Sequence, residues 1–221
     1  MDVFTHQLAG MIDHAVLSPT ATRDDVARGC EVAVRWSVAS VCVRPCDVAP
    51  AAKLLNGTGV ATGTVIGFPL GTTTTAAKIA ETKEAMADGA DELDMVLNIG
   101  RLAEDDMATV IDDIAAVVSV ATGRCVKVIL ECAYLSDEQI VIACQAVQSA
   151  GAHFVKTSTG FGPHGATVEH VKLMRQTVGP VMGVKASGGI KTLDDALVMV
   201  KAGANRIGTS STEKILAELE A

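Results

Sequence analysis

Gly89-Ala90-Asp91-Glu92-Leu93-Asp94-Met95-Val96-Leu97-Asn98 is the stretch on which the fold turns. A glycine directly after a run of helical period takes the left-handed conformation at no steric cost and stops the helix. The residues after it alternate, so Glu92, Asp94, Val96 and Asn98 share one face of a predicted strand. The same Gly-Ala pair recurs at Gly151-Ala152, ahead of His153-Phe154-Val155-Lys156, and at Gly203-Ala204, ahead of Asn205-Arg206-Ile207. Each pair marks a helix-to-strand turn.

Outward from these turns, short apolar runs alternate with helical periods along the whole chain. Strands are predicted at Met11–His14, Ser40–Val43, Val60–Gly67, Glu92–Asn98, Cys125–Glu131, His153–Lys156, Val181–Lys185 and Asn205–Ile207. Between them, Thr22-Arg23-Asp24-Asp25 opens a helix whose buried face is Val26, Gly29, Cys30, Ala33 and Val34. Ser136-Asp137-Glu138-Gln139 is a capping box ahead of Ile140, Ala143, Cys144 and Val147. Thr192-Leu193-Asp194-Asp195 does the same for Leu193, Ala196, Leu197 and Val200. No Pro- or Ser-rich linker interrupts the series, so residues 1–221 read as one domain. Eight units of roughly 28 residues predict a single parallel (β/α)8 TIM barrel. A doubly wound open sheet, with about two fewer strands, is the alternative.

Composition narrows the function. The net charge is −8, which disfavours nucleic acid or an anionic membrane surface as a partner. A phosphorylated metabolite stays possible, because helix N-termini bind phosphate with backbone amides. Aromatics are 3% of residues, so the core must be aliphatic. The six cysteines form no CxxC pair and read as reduced core and wall residues, with no metal site among them. The N-terminus has no basic and apolar targeting pattern, and no apolar run is long enough to span a membrane; a cytoplasmic protein is expected.

The chemistry gathers on two lysines. Lys156 closes one predicted strand and is followed by Thr157-Ser158-Thr159-Gly160; Lys185 closes the next and is followed by Ala186-Ser187-Gly188-Gly189. An unperturbed lysine, pKa ~10.4, is almost wholly protonated at pH 7. Burial and a neighbouring ammonium both disfavour the charged form, and the neutral amine is a nucleophile toward carbonyls. Asp94 faces the same interior, as do Lys127, Ile129 and Glu131 of the preceding strand. Strands four to seven of a barrel therefore bring Asp94, Lys127, Lys156 and Lys185 together. The bland reading of the same set is a structural ion-pair cluster. Cys42, at the end of the second strand, reads as pocket wall, and His14 and His153 as core or rim residues. Gly188-Gly189 after strand seven, and Gly208-Thr209-Ser210-Ser211 before the last helix, stand where barrels hold phosphate, and Gly160 could complete the cup.

At these residues the chain resembles the deoxyribose-phosphate aldolases, class I aldolases of barrel fold. The resemblance is carried by Ile12-Asp13-His14, Val41-Cys42-Val43-Arg44-Pro45, Gly67-Phe68-Pro69-Leu70-Gly71, Glu92–Gly100, Lys127–Glu131, Phe154–Phe161 and Val184–Ile190. It implies reversible cleavage of 2-deoxy-D-ribose 5-phosphate to D-glyceraldehyde 3-phosphate and acetaldehyde. Lys156 would form the imine, and Asp94 and Lys185 would move protons, Lys185 also lowering the pKa of Lys156. Gly188, Gly189, Ser210 and Ser211 would hold the phosphate. No metal or organic cofactor is implied, and self-association as a dimer or tetramer is.

Three residues depart from the family pattern. Ala15 stands where a threonine is common, and His164 where glycine usually follows Gly-Phe-Gly-Pro. Some relatives end in a tail with a terminal tyrosine that assists proton transfer at the enamine carbon. Here the only tyrosine is Tyr134, so water is the expected route. Two other readings compete: an imine-forming aldolase with a different phosphorylated acceptor, and a non-catalytic barrel that binds a sugar phosphate.

Overall fold

The computed structural model describes residues 3–220. Its strands are β1 (Ile12–Val16), β2 (Ser40–Val43), β3 (Ala61–Ile66), β4 (Glu92–Val96), β5 (Cys125–Ile129), β6 (Phe154–Lys156), β7 (Gly183–Ser187) and β8 (Arg206–Thr209). The helices are α1 (Val3–Ala9), α2 (Arg23–Trp36), α3 (Val48–Leu55), α4 (Thr75–Ala87), α5 (Ile99–Ala103), α6 (Met107–Val120), α7 (Asp137–Ser149), α8 (Val168–Val178), α9 (Leu193–Ala202) and α10 (Thr212–Glu220). Every neighbouring strand pair is parallel, and β8 pairs back onto β1, so the sheet closes into a TIM barrel. That closure rules out the open sheet.

Local chemistry explains the element ends. Thr22, Ser136 and Thr192 each cap a helix reciprocally with the third residue of its first turn, Asp25, Gln139 and Asp195. Gly89, Gly151 and Gly203 have φ of 102°, 77° and 117°, so each Gly-Ala pair does turn the chain from helix to strand.

The two faces of each strand see different worlds. Val41, Val43, Leu93, Met95, Val126, Val128, Val155, Val184 and Ile207 point into the aliphatic layer beneath the helices. Each such side chain, once buried, contributes roughly 1.5–3 kcal/mol. The alternate residues, among them Asp13, Glu92, Asp94, Lys127, Lys156 and Lys185, fill the barrel. Lower in the barrel, Phe154 lies opposite Gly183 in register. A Cβ on Gly183 would stand 2.1 Å from Phe154 Cδ1, so only glycine fits there.

Several predicted details differ. β7 starts and ends two residues later than expected, so Lys185 is mid-strand and Val181 is almost fully exposed. On α2, Val34 is exposed and Trp36 takes its place in the core. On α9, Ala196, Met199 and Ala202 are the buried face, with Leu193, Leu197 and Val200 half-buried. β4 stops at Val96, and Asn98 leaves it to cap α5 by accepting from Arg101 N–H at 3.3 Å. Cys46 is exposed and not a core residue.

A buried ion pair supports β4 from outside the barrel. Lys78 Nζ, on α4, donates to Val96 O at 2.9 Å and to Asp113 Oδ2, on α6, at 2.5 Å. Thr75 donates to the other Asp113 oxygen at 2.8 Å. On the opposite side, His14 Nδ1 shares a 2.9 Å hydrogen bond with Thr212 Oγ1 of α10. Burial pushes the His14 imidazole down to about 4, so it is neutral near pH 7.

Candidate active site

Asp94 is the hub of the barrel interior. Its Oδ1 accepts from Lys127 Nζ at 2.9 Å, and its Oδ2 accepts from both Lys156 Nζ and Lys185 Nζ at 2.7 Å. A second carboxylate, Asp13 of β1, accepts from Lys185 through Oδ2, lies 3.1 Å from Lys127 Nζ, and takes Arg206 at 2.6 Å on Oδ1. Glu92 closes the cluster from below, accepting from Lys127 at 2.6 Å and lying 3.3 Å from Arg206. Arg206 also stacks over Phe154, 5.3 Å from the ring centroid.

Strand register produces this convergence. Asp94 pairs with Lys127, Lys156 with Lys185, and Lys185 with Arg206 on adjacent strands. Three carboxylates thus face four cationic side chains. Lys127 touches all three acids, Lys185 touches two, Arg206 touches two and Lys156 touches one. The cation with the least compensation gives up its proton most easily.

The ionisation follows that order. Burial lowers the Lys156 amine; Asp94 opposes this, and the Lys185 charge adds to it, leaving Lys156 below the usual lysine value. Burial would also lower Lys185 and Lys127, but their acids overcome it and hold both above the ordinary lysine range. Burial would raise Asp94 and Asp13, yet the surrounding cations keep both carboxyls well below the usual range. Burial, followed by the Asp94 charge, pushes the Cys42 thiol up to about 11 and leaves it protonated.

Above the cluster opens a cavity of about 520 Å³. Lys156, Lys185, Asp13, Cys42 and Ala15 lie at its floor and walls, with Gly160, Gly188, Gly189, Gly208 and Ser210 around it. Three of the expected residues stand outside its lining, Asp94 among them, which lies behind Lys156 and Lys185 as their shared partner. Lys127 is buried beneath Asp94 and does not line the cavity, and Ser211 gives its N–H to Thr209 Oγ1 at 2.9 Å. Glu131 was expected inside the barrel beside Lys127. β5 ends first, and Glu131 turns off in the left-handed conformation to bind Thr159.

Sequence reasoning weighed neither Asp13 nor Arg206 as part of the cluster. The signal for Asp13 was present: it is an acid inside an apolar strand, as Asp94 is. Arg206 follows from the same alternation, being two residues before Gly208 on β8.

A lysine amine held below its usual pKa at the floor of a cavity suits carbonyl chemistry. In a (β/α)8 barrel that combination fits an imine-forming aldolase, and similarity to known proteins gives the class. The family model for DeoC/LacD family aldolases matches residues 8–218. A deoxyribose-phosphate aldolase of Clostridium perfringens is 53% identical over 207 residues, covering 93% of this chain and 92% of its own length. One from Thermococcus kodakarensis is also 53% identical, over 95% of this chain and 96% of its own. The solved tetrameric deoxyribose phosphate aldolase of Aeropyrum pernix superposes with a TM-score of 0.92 at 34% identity, covering 98% of this chain and 92% of that one. The chain belongs to the DeoC/LacD aldolase family. The alternative of a non-catalytic sugar-phosphate-binding barrel is thereby set aside. Among the described residues no helix is long and apolar enough to cross a membrane.

Proposed function

We propose that this chain cleaves 2-deoxy-D-ribose 5-phosphate reversibly to D-glyceraldehyde 3-phosphate and acetaldehyde, with Lys156 as the covalent residue. The observation that carries this reading is the position of Lys156: it ends β6 at the cavity floor and has one acid partner where Lys127 has three.

The neutral Lys156 amine adds to the C1 aldehyde, and loss of water leaves a protonated imine. Removal of the C3 hydroxyl proton breaks the C2–C3 bond; its electron pair flows into the imine and gives an enamine. D-glyceraldehyde 3-phosphate departs. A proton delivered to C2 regenerates the imine, now of acetaldehyde, and water releases the product. The contacts of Asp94 Oδ2 with Lys156 Nζ and Lys185 Nζ support a role for Asp94 and Lys185 in exchanging these protons. Gly188, Gly189, Gly208 and Ser210 present amides and a hydroxyl for the phosphate, and Gly208–Ser210 leads into α10.

Borohydride reduction in the presence of acetaldehyde tests this. An ethyl group should appear on Lys156 by peptide mapping and vanish in Lys156→Arg, since guanidinium stays protonated. An adduct mapped to Lys185 or Lys127 would reverse the assignment. The Aeropyrum relative is described as tetrameric, and we extend self-association, as dimer or tetramer, to this chain. Light scattering behind size exclusion reads that state directly.

A further inference from the structure

Glu131 is a buried carboxylate that stands apart from the acid–lysine cluster. Its backbone has φ 54° and ψ 61°, a left-handed conformation that a side chain with a Cβ adopts only when its surroundings insist. Its side chain is 2% exposed. One oxygen, Oε2, accepts from Thr159 N–H at 3.1 Å and from the Thr159 hydroxyl. The other, Oε1, is buried and takes no hydrogen bond from any described residue. The Thr159 hydroxyl oxygen in turn accepts from Phe161 N–H at 3.0 Å.

The chain then crosses directly over the carboxylate. A Cβ on Gly162 would lie 3.0 Å from Glu131 Cδ. Thr159, Gly160 and Phe161 form one wall of the large cavity, and Glu131, Thr159 and Phe161 also line a separate cavity of about 40 Å³ behind it. Gly160 is adjacent to Gly188: its Cα is 3.6 Å from where a Gly188 Cβ would stand. Ala166 N–H returns to Gly188 O at 3.1 Å. The turn held by Glu131 is therefore continuous with the glycine loop after β7.

We propose that Glu131 is a positioning residue, whose carboxylate latches the Thr159–Gly160–Phe161 turn so that this wall seats the phosphorylated end of the substrate. The proposal rests on the sugar-phosphate reading given above. Glu131 is absent from the lining of the reaction cavity, so its effect on the reaction passes through the turn. Because Oε1 has no donor facing it, glutamine can place its NH2 group there without conflict and still accept from Thr159 with its oxygen.

Steady-state kinetics on the full chain, with deoxyribose 5-phosphate and with unphosphorylated deoxyribose, test this alongside acetaldehyde trapping. Glu131→Leu should raise KM for the phosphorylated substrate roughly tenfold, since both hydrogen bonds that hold Thr159 are lost. kcat, KM for deoxyribose and the yield of trapped imine should change far less. Glu131→Gln should restore most of the KM. Gly162→Val presses on the latch from the loop side and should reproduce the Glu131→Leu pattern, which covers the case where that variant does not fold. Equal losses for both substrates, or a Gln variant as impaired as Leu, would overturn the proposal. Failure of the unmodified chain to trap acetaldehyde at all would instead sink the aldolase reading.

Discussion

Lys156 and Lys185 donate to the same oxygen, Asp94 Oδ2, each at 2.7 Å. One oxygen thus serves two cations, and Lys185 has a second carboxylate in Asp13 while Lys156 has none. With that oxygen shared equally, the second carboxylate is what distinguishes Lys185 from Lys156.

Removing the competitor should shift the balance. In Lys185→Leu, Asp94 Oδ2 becomes available to Lys156 alone and the repelling charge is gone. Lys156 then keeps its proton to higher pH, so the rising limb of the pH–rate profile moves to higher pH. A profile that stays in place with only KM altered would show that Lys185 acts in binding alone.

Asp13→Asn acts in the opposite sense on the other lysine. Asp13 raises the pKa of Lys185, so its loss lets Lys185 deprotonate at lower pH. If protonated Lys185 is needed as acid, the falling limb of the profile moves to lower pH. Trapping of acetaldehyde on Lys156 should persist, since Asp13 does not touch it. Arg206 and Lys127 also lose a buried partner, so thermal unfolding should report a cost of about 3–5 kcal/mol.

Ser210 lines the cavity beside Gly208, so Ser210→Asp sets a fixed negative charge against an incoming phosphate. The ratio of kcat/KM for phosphorylated over unphosphorylated deoxyribose should collapse by roughly tenfold or more. An equal effect on both substrates would place the phosphate elsewhere.

His14 gives a stability prediction with a defined window. Its folded value, about 4, is below the ordinary 6.5. Above pH 6.5 neither state binds the proton and stability is unaffected; between 6.5 and 4 the unfolded chain takes it up and the folded one does not. Stability should fall across that window by up to about 3 kcal/mol. Denaturant melts at pH 7 and pH 4.5 check this, with His14→Gln showing a smaller loss.

Much of this was written into strand alternation. Glu92 and Asp94 on one strand and Lys127 on the next announce an interior that binds charge, because unpaired acids in apolar strands are costly. Alternation also misled where the strand ended early. It carried Glu131 and Asn98 into the barrel, whereas the chain had already turned to cap α5 at one and to latch Thr159 at the other. Lys78 was illegible for another reason. On a helix it reads as a solvated residue, and its acid, Asp113, is on α6, a separate helix. The shift in β7 has a similar origin: Val181 is apolar and β-branched, but nothing packs over it.

The contact of Phe154 with Gly183 has a bearing on chemistry that its distance from the cavity conceals. Along a strand, a slip of one residue exchanges the two faces. Displaced by one, β7 would present Val184 to the interior, turn Lys185 out among the helices, and take one cation from each of Asp13 and Asp94. The aromatic ring accepts only a bare backbone opposite it, and glycine occurs at one place within β7. A hydrocarbon contact at the far end of the barrel therefore acts as the gauge that decides which side chain of β7 arrives beside Lys156.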